Sequence, residues 1–338
     1  MIVLWGVPGD GPLDAVHARL SHLGANFRLL DQRSGARSSA TIRIERRDLV
    51  LEIEGPSSAG RLDFKNVGAA YLRPIETERA LPSDAGDDRA ARVRADGVDR
   101  ALIAWADLTT ALAVNPPTAM AANNSKPYQL GLIKRYGFAV TETLVTTDPE
   151  AVRAFAARHG RVIYKSVSGT RSIVNILAED GLERLEDVAN APTQFQAYVP
   201  GADIRVHLVG DELFATEVRS DAHDYRYASR SGNEVELAAT AVPADVADRC
   251  RAMASGMGLA VAGIDLRRTP DDHWVCFEVN PSPAFVYYEE ATGQPIGQAI
   301  AGLLIRADEA HARNSREQPR CGISSGVRVW RLEQTASR

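Results

Sequence analysis

The sequence predicts an α/β (α+β) protein built as three lobes around a cleft, and three observations lead there. Its 338 residues exceed one typical domain of roughly 100–200 residues. Apolar runs of strand length alternate with segments of helical period along most of the chain. Proline- and glycine-rich breaks then separate these runs into groups. A composition of 45% hydrophobic and 25% charged residues excludes disorder as the main state. A net charge of −5 with scattered Lys and Arg excludes a dedicated nucleic-acid binder, which needs concentrated phosphate contacts.

The first lobe, residues 1–115, opens with the β-rich run Ile2 to Val7. A Gly/Pro turn leads into a segment whose apolar residues, Leu13, Val16, Leu20 and Leu23, recur at helical spacing, and a second strand follows at Phe27 to Leu30. Ala40 to Ile44 and Leu49 to Ile53 alternate with charges around Glu45-Arg46-Arg47-Asp48, which reads as a hairpin. Tyr71-Leu72-Arg73-Pro74 closes the unit, and a long helix is expected from about Asp87 to Ala113. Asn115-Pro116-Pro117 is a linker, because consecutive prolines disfavour helix. The second lobe, 116–190, starts with a helix capped by Asn124-Ser125 and ended by Gly137. Strand, helix (Pro149 to His159), strand (Val162 to Ser166), strand (Ile173 to Leu177) and helix (Gly181 to Ala189) follow.

The third lobe, 191–305, is strand-rich: Phe195 to Val199, Ile204 to Val209 and Leu213 to Arg219, then a helix around Asp245 to Met257 and strands at Val261 to Arg267 and Trp274 to Val279. Residues 306–338 read as a polar tail with a short Val327 to Leu332 run. Three widely spaced cysteines, Cys250, Cys276 and Cys321, form no CxxC pair, so neither a disulfide framework nor a cysteine zinc site is expected. The N-terminus lacks a basic start, and the run Ala101 to Val114 falls short of the roughly 20 apolar residues of a membrane span. A cytoplasmic protein without a membrane partner is the expectation.

Asp265 and Glu278-Val279-Asn280-Pro281 carry the sharpest chemistry. Strand residues two apart share a face, so Glu278 and Asn280 project together while Val279 faces the core. A hairpin through Pro270-Asp271-Asp272 lays Asp265 beside them. Two carboxylates and an amide oxygen suit a hard divalent cation, and a surface strand with incidental acids is the alternative. Lys126 opens a helix, and Lys165 leaves a strand into the small-residue turn Ser166 to Ser172; together they fit phosphate, singly they are solvated cations. Gln196-Ala197-Tyr198-Val199-Pro200-Gly201 offers backbone groups for a base edge, with Asp203 placed for ribose and Arg205 for a transferring phosphoryl.

The order of these parts resembles the ATP-grasp superfamily of carboxylate ligases, in particular the RimK-type glutamate ligases and the graspetide (microviridin-type) peptide maturases. The resemblance covers about residues 1 to 305 and includes Asn115-Pro116, Ser125 to Leu130 and Thr292 to Ile296. It implies an ATP-grasp fold with an N-terminal Rossmann-like pre-ATP-grasp domain, and ATP with two Mg2+ ions as cofactors. It implies ATP contacts by Lys126, Lys165, Ser168, Gly169, Gln196, Tyr198, Val199 and Asp203, and Mg2+ ligation by Asp265, Glu278 and Asn280. Arg205, Arg219 and Arg226 are the implied catalytic arginines; Arg73, Tyr225, Tyr287, Tyr288 and Glu289 are candidates for the substrate side. Departures lie in the single glycine of the phosphate loop, Gly169, in Ala197 where an acid is common, in the single arginine of Tyr71 to Pro74, and in Pro281 to Phe285.

The resemblance implies an acyl-phosphate mechanism that joins a carboxylate to an amine or hydroxyl, with a ribosomally made peptide as substrate. A ligase that adds an amino acid to an acceptor is the alternative, and a non-catalytic ATP-binding module the third reading. Relatives are often dimeric or tetrameric, so a homo-oligomer is an expectation too.

Overall fold

A computed structural model describes residues 1–45, 48–56, 60–81, 88–167, 174–178, 181, 184–220 and 235–317. The fully buried strand β1 (Ile2–Gly6) feeds helix α1 (Gly11–His22), whose first turn is capped by Asp10: its carboxylate accepts the Leu13 N–H at 3.1 Å. β2 (Phe27–Asp31) returns parallel to β1. β3 (Ser39–Glu45), β4 (Asp48–Glu54) and β5 (Arg61–Asp63) then form a separate three-stranded antiparallel sheet. β6 (Ala69–Arg73), the short helix α2 (Thr77–Ala80), α3 (Arg89–Leu108) and β7 (Leu112–Val114) complete a parallel sheet of order β2-β1-β6-β7. The long helix expected to reach Ala113 stops at Leu108, and the apolar residues after Thr109 form β7. Ala113 and Val114 find their burial beside β6 rather than on the helix.

The central layer begins with α4 (Pro117–Met120) and α5 (Lys126–Arg135). Ser125 stands at the N-cap of α5 as expected but makes no side-chain capping bond. β8 (Thr143–Thr146), α6 (Pro149–His159), β9 (Val162–Ser166), β10 (Asn175–Ile176) and β11 (Thr193–Ala197) follow, forming an antiparallel sheet of order β10-β9-β11-β8. Of the helix expected at Gly181 to Ala189, Gly181 is helical and Leu185–Asn190 is a 3-10 turn. β11 departs from its expected place with the third lobe. It pairs with β8 and β9, since Phe195 is buried against Val152, Val162 and Leu185 on the central sheet.

β12 (Ala202–Val209), β13 (Glu212–Ser220), β14 (Val235–Thr240), α7 (Ala244–Gly256), β15 (Val261–Arg268) and β16 (Trp274–Asn280) make a five-stranded antiparallel sheet of order β14-β13-β12-β15-β16. α8 (Val286–Thr292) and α9 (Ile296–Glu317) close the described chain. The polar tail expected from residue 306 thus begins later: α9 runs to Glu317, because Ile300, Ala301 and Leu304 bury one face among Leu13, Val16 and Leu20 of α1 and continue the helix. That cluster also takes in Val209 and Val261, so the N-terminal domain and the large sheet share a core. At roughly 1.5–3 kcal/mol per buried Leu or Ile side chain, this shared core welds the two together. Among the described residues the central sheet packs a smaller cluster around Val152, Val162, Leu185 and Phe195. Among the described residues no helix is long and apolar enough to cross a membrane.

Candidate active site

Alternation decides which face of the large sheet carries chemistry. Ile204, Val206 and Leu208 of β12 and Ala262, Ile264 and Leu266 of β15 enter one core, so Asp203, Arg205, His207, Gly263, Asp265 and Arg267 occupy the opposite face. β16 would be out of phase with them but for a bulge. Leu266 pairs with Cys276 whereas Asp265 pairs with Glu278, which leaves Phe277 as the extra residue. Trp274 and Cys276 before the bulge and Val279 after it all reach the core, and Glu278 and Asn280 consequently join Asp265.

Each acid of this face meets a cation or a donor. The Arg205 Nη1 donates to Asp265 Oδ1 at 2.6 Å, with the arginine side chain 8% exposed. Lys126 Nζ stands 3.6 Å from Glu278 Oε2 and is buried. Asn280 Oδ1 accepts the Ser282 N–H at 2.9 Å, and Asp203 forms a bidentate pair with Arg267 at 2.6 and 2.8 Å. The Arg205 guanidinium lies against Gly263, where a Cβ would stand 2.2 Å from Nη2. His207, fully buried, holds an imidazole pushed down to about 3 by burial and then by the Arg205 charge, so it is neutral here.

The central sheet carries a second group of the expected residues. Lys165 is in register with Gln194, and both are buried; Phe195 and Tyr164 point to the other side, into the small core. Both amide atoms of Gln194 and the Oε1 of Gln196 are buried without a hydrogen-bond partner. Unsatisfied buried polar atoms cost about 1–3 kcal/mol each, and a ligand that bonds them removes the cost. The turn joining the sheets requires glycine: Gly201 has φ +143, and a Cβ there would lie 2.2 Å from the Arg268 carbonyl oxygen. At this turn Arg267 also donates to Val199 O at 2.7 Å, and the Tyr198 ring lies under the Arg161 guanidinium at 3.8 Å.

The structure therefore brings Asp203, Arg205, Asp265, Glu278 and Asn280 together on one face of the large sheet, with Lys126 reaching it from α5 and Tyr198 and Val199 beside it at the joining turn, while Lys165 and Gln196 stand on the central sheet. Arg219 is exposed on β13 and pairs with Glu217 and Glu236. Ser168, Gly169, Tyr225 and Arg226 lie outside the described residues. Arg73 is committed to Asp10, at 2.5 Å, and to Ser282 Oγ, at 2.8 Å; Glu289 spends its two oxygens on Arg19 and the Gly297 N–H, both at 2.7 Å. Tyr288 is buried, its ring 4.8 Å from His207, while Tyr287 is 54% exposed. Sequence reasoning missed Arg267, although its place two residues after Asp265 on one strand puts both on one face.

The donor set of Asp265, Glu278 and Asn280 fits magnesium: it is all oxygen, with two negative charges, and among the described residues no cluster of three His, Cys, Asp or Glu side chains competes with it. Cysteine chemistry finds no support at the described thiols. Burial raises Cys250 to about 12 and Cys276 well above the ordinary thiol range.

Comparison with known proteins agrees with this geometry. The family model for the RimK-like ATP-grasp domain matches residues 122–304, more than half of the chain. A protein of Alcanivorax borkumensis named probable alpha-L-glutamate ligase is 31% identical over 217 residues, 61% of this chain and 69% of that protein. A protein of the same name from Aliivibrio fischeri is 30% identical over 221 residues, 61% and 70% of the two chains. The ATP-grasp ligase PsnB, solved with minimal precursor, Mg and ADP, superposes with a TM-score of 0.75 at 28% identity, over 91% of this chain and 97% of that one. The macrocyclase MdnC of Microcystis aeruginosa, bound with the precursor peptide MdnA, shares the fold at a TM-score of 0.75 and 20% identity, over 90% and 99%. The two-sheet site, the matched model and these relatives together show that the chain belongs to the RimK-like ATP-grasp family and is an ATP-grasp ligase.

Proposed function

We propose that the protein uses ATP and Mg2+ to activate a carboxylate and joins it to an amine or hydroxyl within a ribosomally made peptide. The observation that carries this reading is the convergence of Arg205, Asp265, Glu278 and Asn280 with the buried Lys126. A carboxylate resists nucleophiles at neutral pH, and phosphoryl transfer from ATP turns it into an acyl phosphate with a good leaving group. Little covalent work falls to the protein; its task is to position and to neutralise charge. Lys126 and Lys165 hold phosphate, the 196–199 segment the base, and Asp203 the ribose. Arg205 stands at the transferred group, where a pre-placed guanidinium favours the charge that develops. Mg2+ held by Asp265, Glu278 and Asn280 would supply further neutralisation.

Residues 1–115 form the N-terminal domain in this reading, the β8–β11 sheet the lid over the nucleotide, and the sheet from β12 onward the floor. Arg226, Ser168 and Gly169 keep their proposed roles; Tyr287 is the exposed candidate for substrate contact. Support for a peptide substrate comes from PsnB, solved with the precursor peptide PsnA2 and with a minimal precursor. A second reading, addition of an amino acid to an acceptor, is favoured by the relatives named glutamate ligases. A cytoplasmic location and a homo-oligomer remain part of the proposal.

One experiment separates these readings. The protein is incubated with Mg-ATP and the peptide encoded beside its gene, with and without added glutamate, and ADP and intact peptide mass are measured. Loss of one water per bond, matched by one ADP, is the expected result. Gain of the mass of glutamate less one water selects the second reading, and no ADP with or without glutamate refutes ligase action on these substrates.

A further inference from the structure

β16 lies at the edge of the five-stranded sheet, so its outward N–H and C=O groups receive no strand partner from that sheet. Groups from outside the sheet meet this row at Cys276 and Val279. Ala139 O accepts the Cys276 N–H at 3.0 Å. Gln129 of α5, 2% exposed, then turns its amide onto Val279: Nε2 donates to Val279 O at 2.7 Å, and Oε1 accepts the Val279 N–H at 3.1 Å. This pair of bonds is what a neighbouring antiparallel strand would offer. Beyond the end of the strand, the buried Asn115 donates from Nδ2 to Pro281 O and Val261 O and accepts from the Ala260 and Val261 N–H groups.

Val279 sits between Glu278 and Asn280, with its own side chain in the core. Gln129 stands three residues after Lys126 on the same helix, and Lys126 reaches Glu278. Helix α5 therefore grips the strand by its backbone at 279 and faces its carboxylate at 278.

We propose that Gln129 is a positioning residue for the metal-binding strand, acting through the Val279 peptide groups to hold Glu278 and Asn280 in register with Lys126. The proposal rests on the reading of Glu278 and Asn280 as magnesium ligands. A purely structural glutamine would stabilise the fold without tuning cation affinity; an outer-shell partner of metal ligands typically changes that affinity by about 10–100-fold when lost.

The test uses Gln129→Met, close in length and unable to make either bond, and Gln129→Glu, which keeps the acceptor and loses the donor. Mn2+ serves as the probe: it is titrated into each full-length protein with ADP present, and free Mn2+ is read by electron paramagnetic resonance. The expected result is a rise of about 10–100-fold in the Mn2+ dissociation constant for Gln129→Met, with ADP affinity at saturating Mg2+ unchanged. Met253→Ala, which opens the same core from α7, is the destabilised control and should keep the wild-type Mn2+ constant. An unchanged constant in Gln129→Met, or an equal rise in Met253→Ala, overturns the proposal. Should Gln129→Met fail to fold, Gln129→Glu decides by the same criterion. Glu278→Gln separates the two layers: if it leaves Mn2+ binding intact the ligand reading itself is refuted, and if it weakens binding while the Gln129 variants do not, only the positioning role falls.

Discussion

Gly263→Ala tests the placement of Arg205 without touching the arginine. The glycine faces the cleft opposite Asn280, and its φ lies outside the positive range, so alanine carries no backbone strain there. Its Cβ, however, would stand 2.2 Å from Arg205 Nη2, 2.7 Å from Cζ and 2.8 Å from Pro283 Cβ, whereas ordinary contact begins at 3.4 Å. Pro283 blocks retreat on one side, so the guanidinium must move by more than an ångström. The pair with Asp265 now spans 2.6 Å, and a shift of that size takes it out of hydrogen-bond range. A misplacement of about 1 Å in a catalytic group costs on the order of 100-fold, or about 3 kcal/mol of barrier. The assay is ADP release under saturating Mg-ATP and peptide, beside ATP affinity and the thermal midpoint. We expect kcat to fall about 100-fold with ATP affinity nearly unchanged, because an interaction made only in the transition state appears in kcat. Wild-type kcat in a folded Gly263→Ala protein would refute the placement of Arg205 at the transferred phosphoryl.

Asp265→Asn and Glu278→Gln should each reduce ADP formation by at least about 100-fold, since a bound cation supplies several kcal/mol of charge stabilisation; unchanged turnover with an unchanged circular-dichroism spectrum sinks the metal assignment. Arg73→Lys cannot keep the fork that meets Asp10 and Ser282, so it should lower stability by about 1.5–3 kcal/mol with the KM for peptide unaltered. A raised KM at constant thermal midpoint would instead return Arg73 to the substrate side. The His207 imidazole is held at about 3 against an ordinary 6.5, so between these values the unfolded chain binds a proton that the folded chain refuses. Stability from this site is fully present above pH 6.5 and is lost as pH falls toward 3, on the order of 5 kcal/mol in all. Denaturant titrations of His207→Phe should show a shallower loss between about pH 6 and pH 4 than wild type, and parallel curves would contradict the assignment.

What the sequence shows of this site is what alternation can show. Asp203, Arg205 and His207 share a face because their neighbours Ile204, Val206 and Leu208 are apolar, and the same holds for Asp265 among Ile264 and Leu266. The bulge at Phe277 is not legible, since Trp274 to Val279 reads as one strand and nothing in it marks where the phase slips. The interior strand β11 was legible as a strand but not as a member of the central sheet, because pairing depends on partners in β8 and β9, well upstream, rather than on its own residues. Asn115 reads as linker material beside two prolines, yet its four hydrogen bonds reach residues more than a hundred positions away. Arg73 reads as a candidate for the substrate side because its partner Ser282 lies 209 residues on.

The charge balance of the site is likewise invisible in a net charge of −5. Asp265 with Arg205, Glu278 with Lys126 and Asp203 with Arg267 are neutral pairs, which limits the cost of holding six ions in a partly buried cleft. A triphosphate alone would draw the cations away and leave the carboxylates uncompensated; a divalent cation alone would do the reverse. Bound together they meet both halves at once, so nucleotide and cation should bind with positive coupling. Coupling of this kind is reciprocal: ADP must tighten Mn2+ by the same factor by which Mn2+ tightens ADP, and independent binding of the two would refute the paired-charge reading.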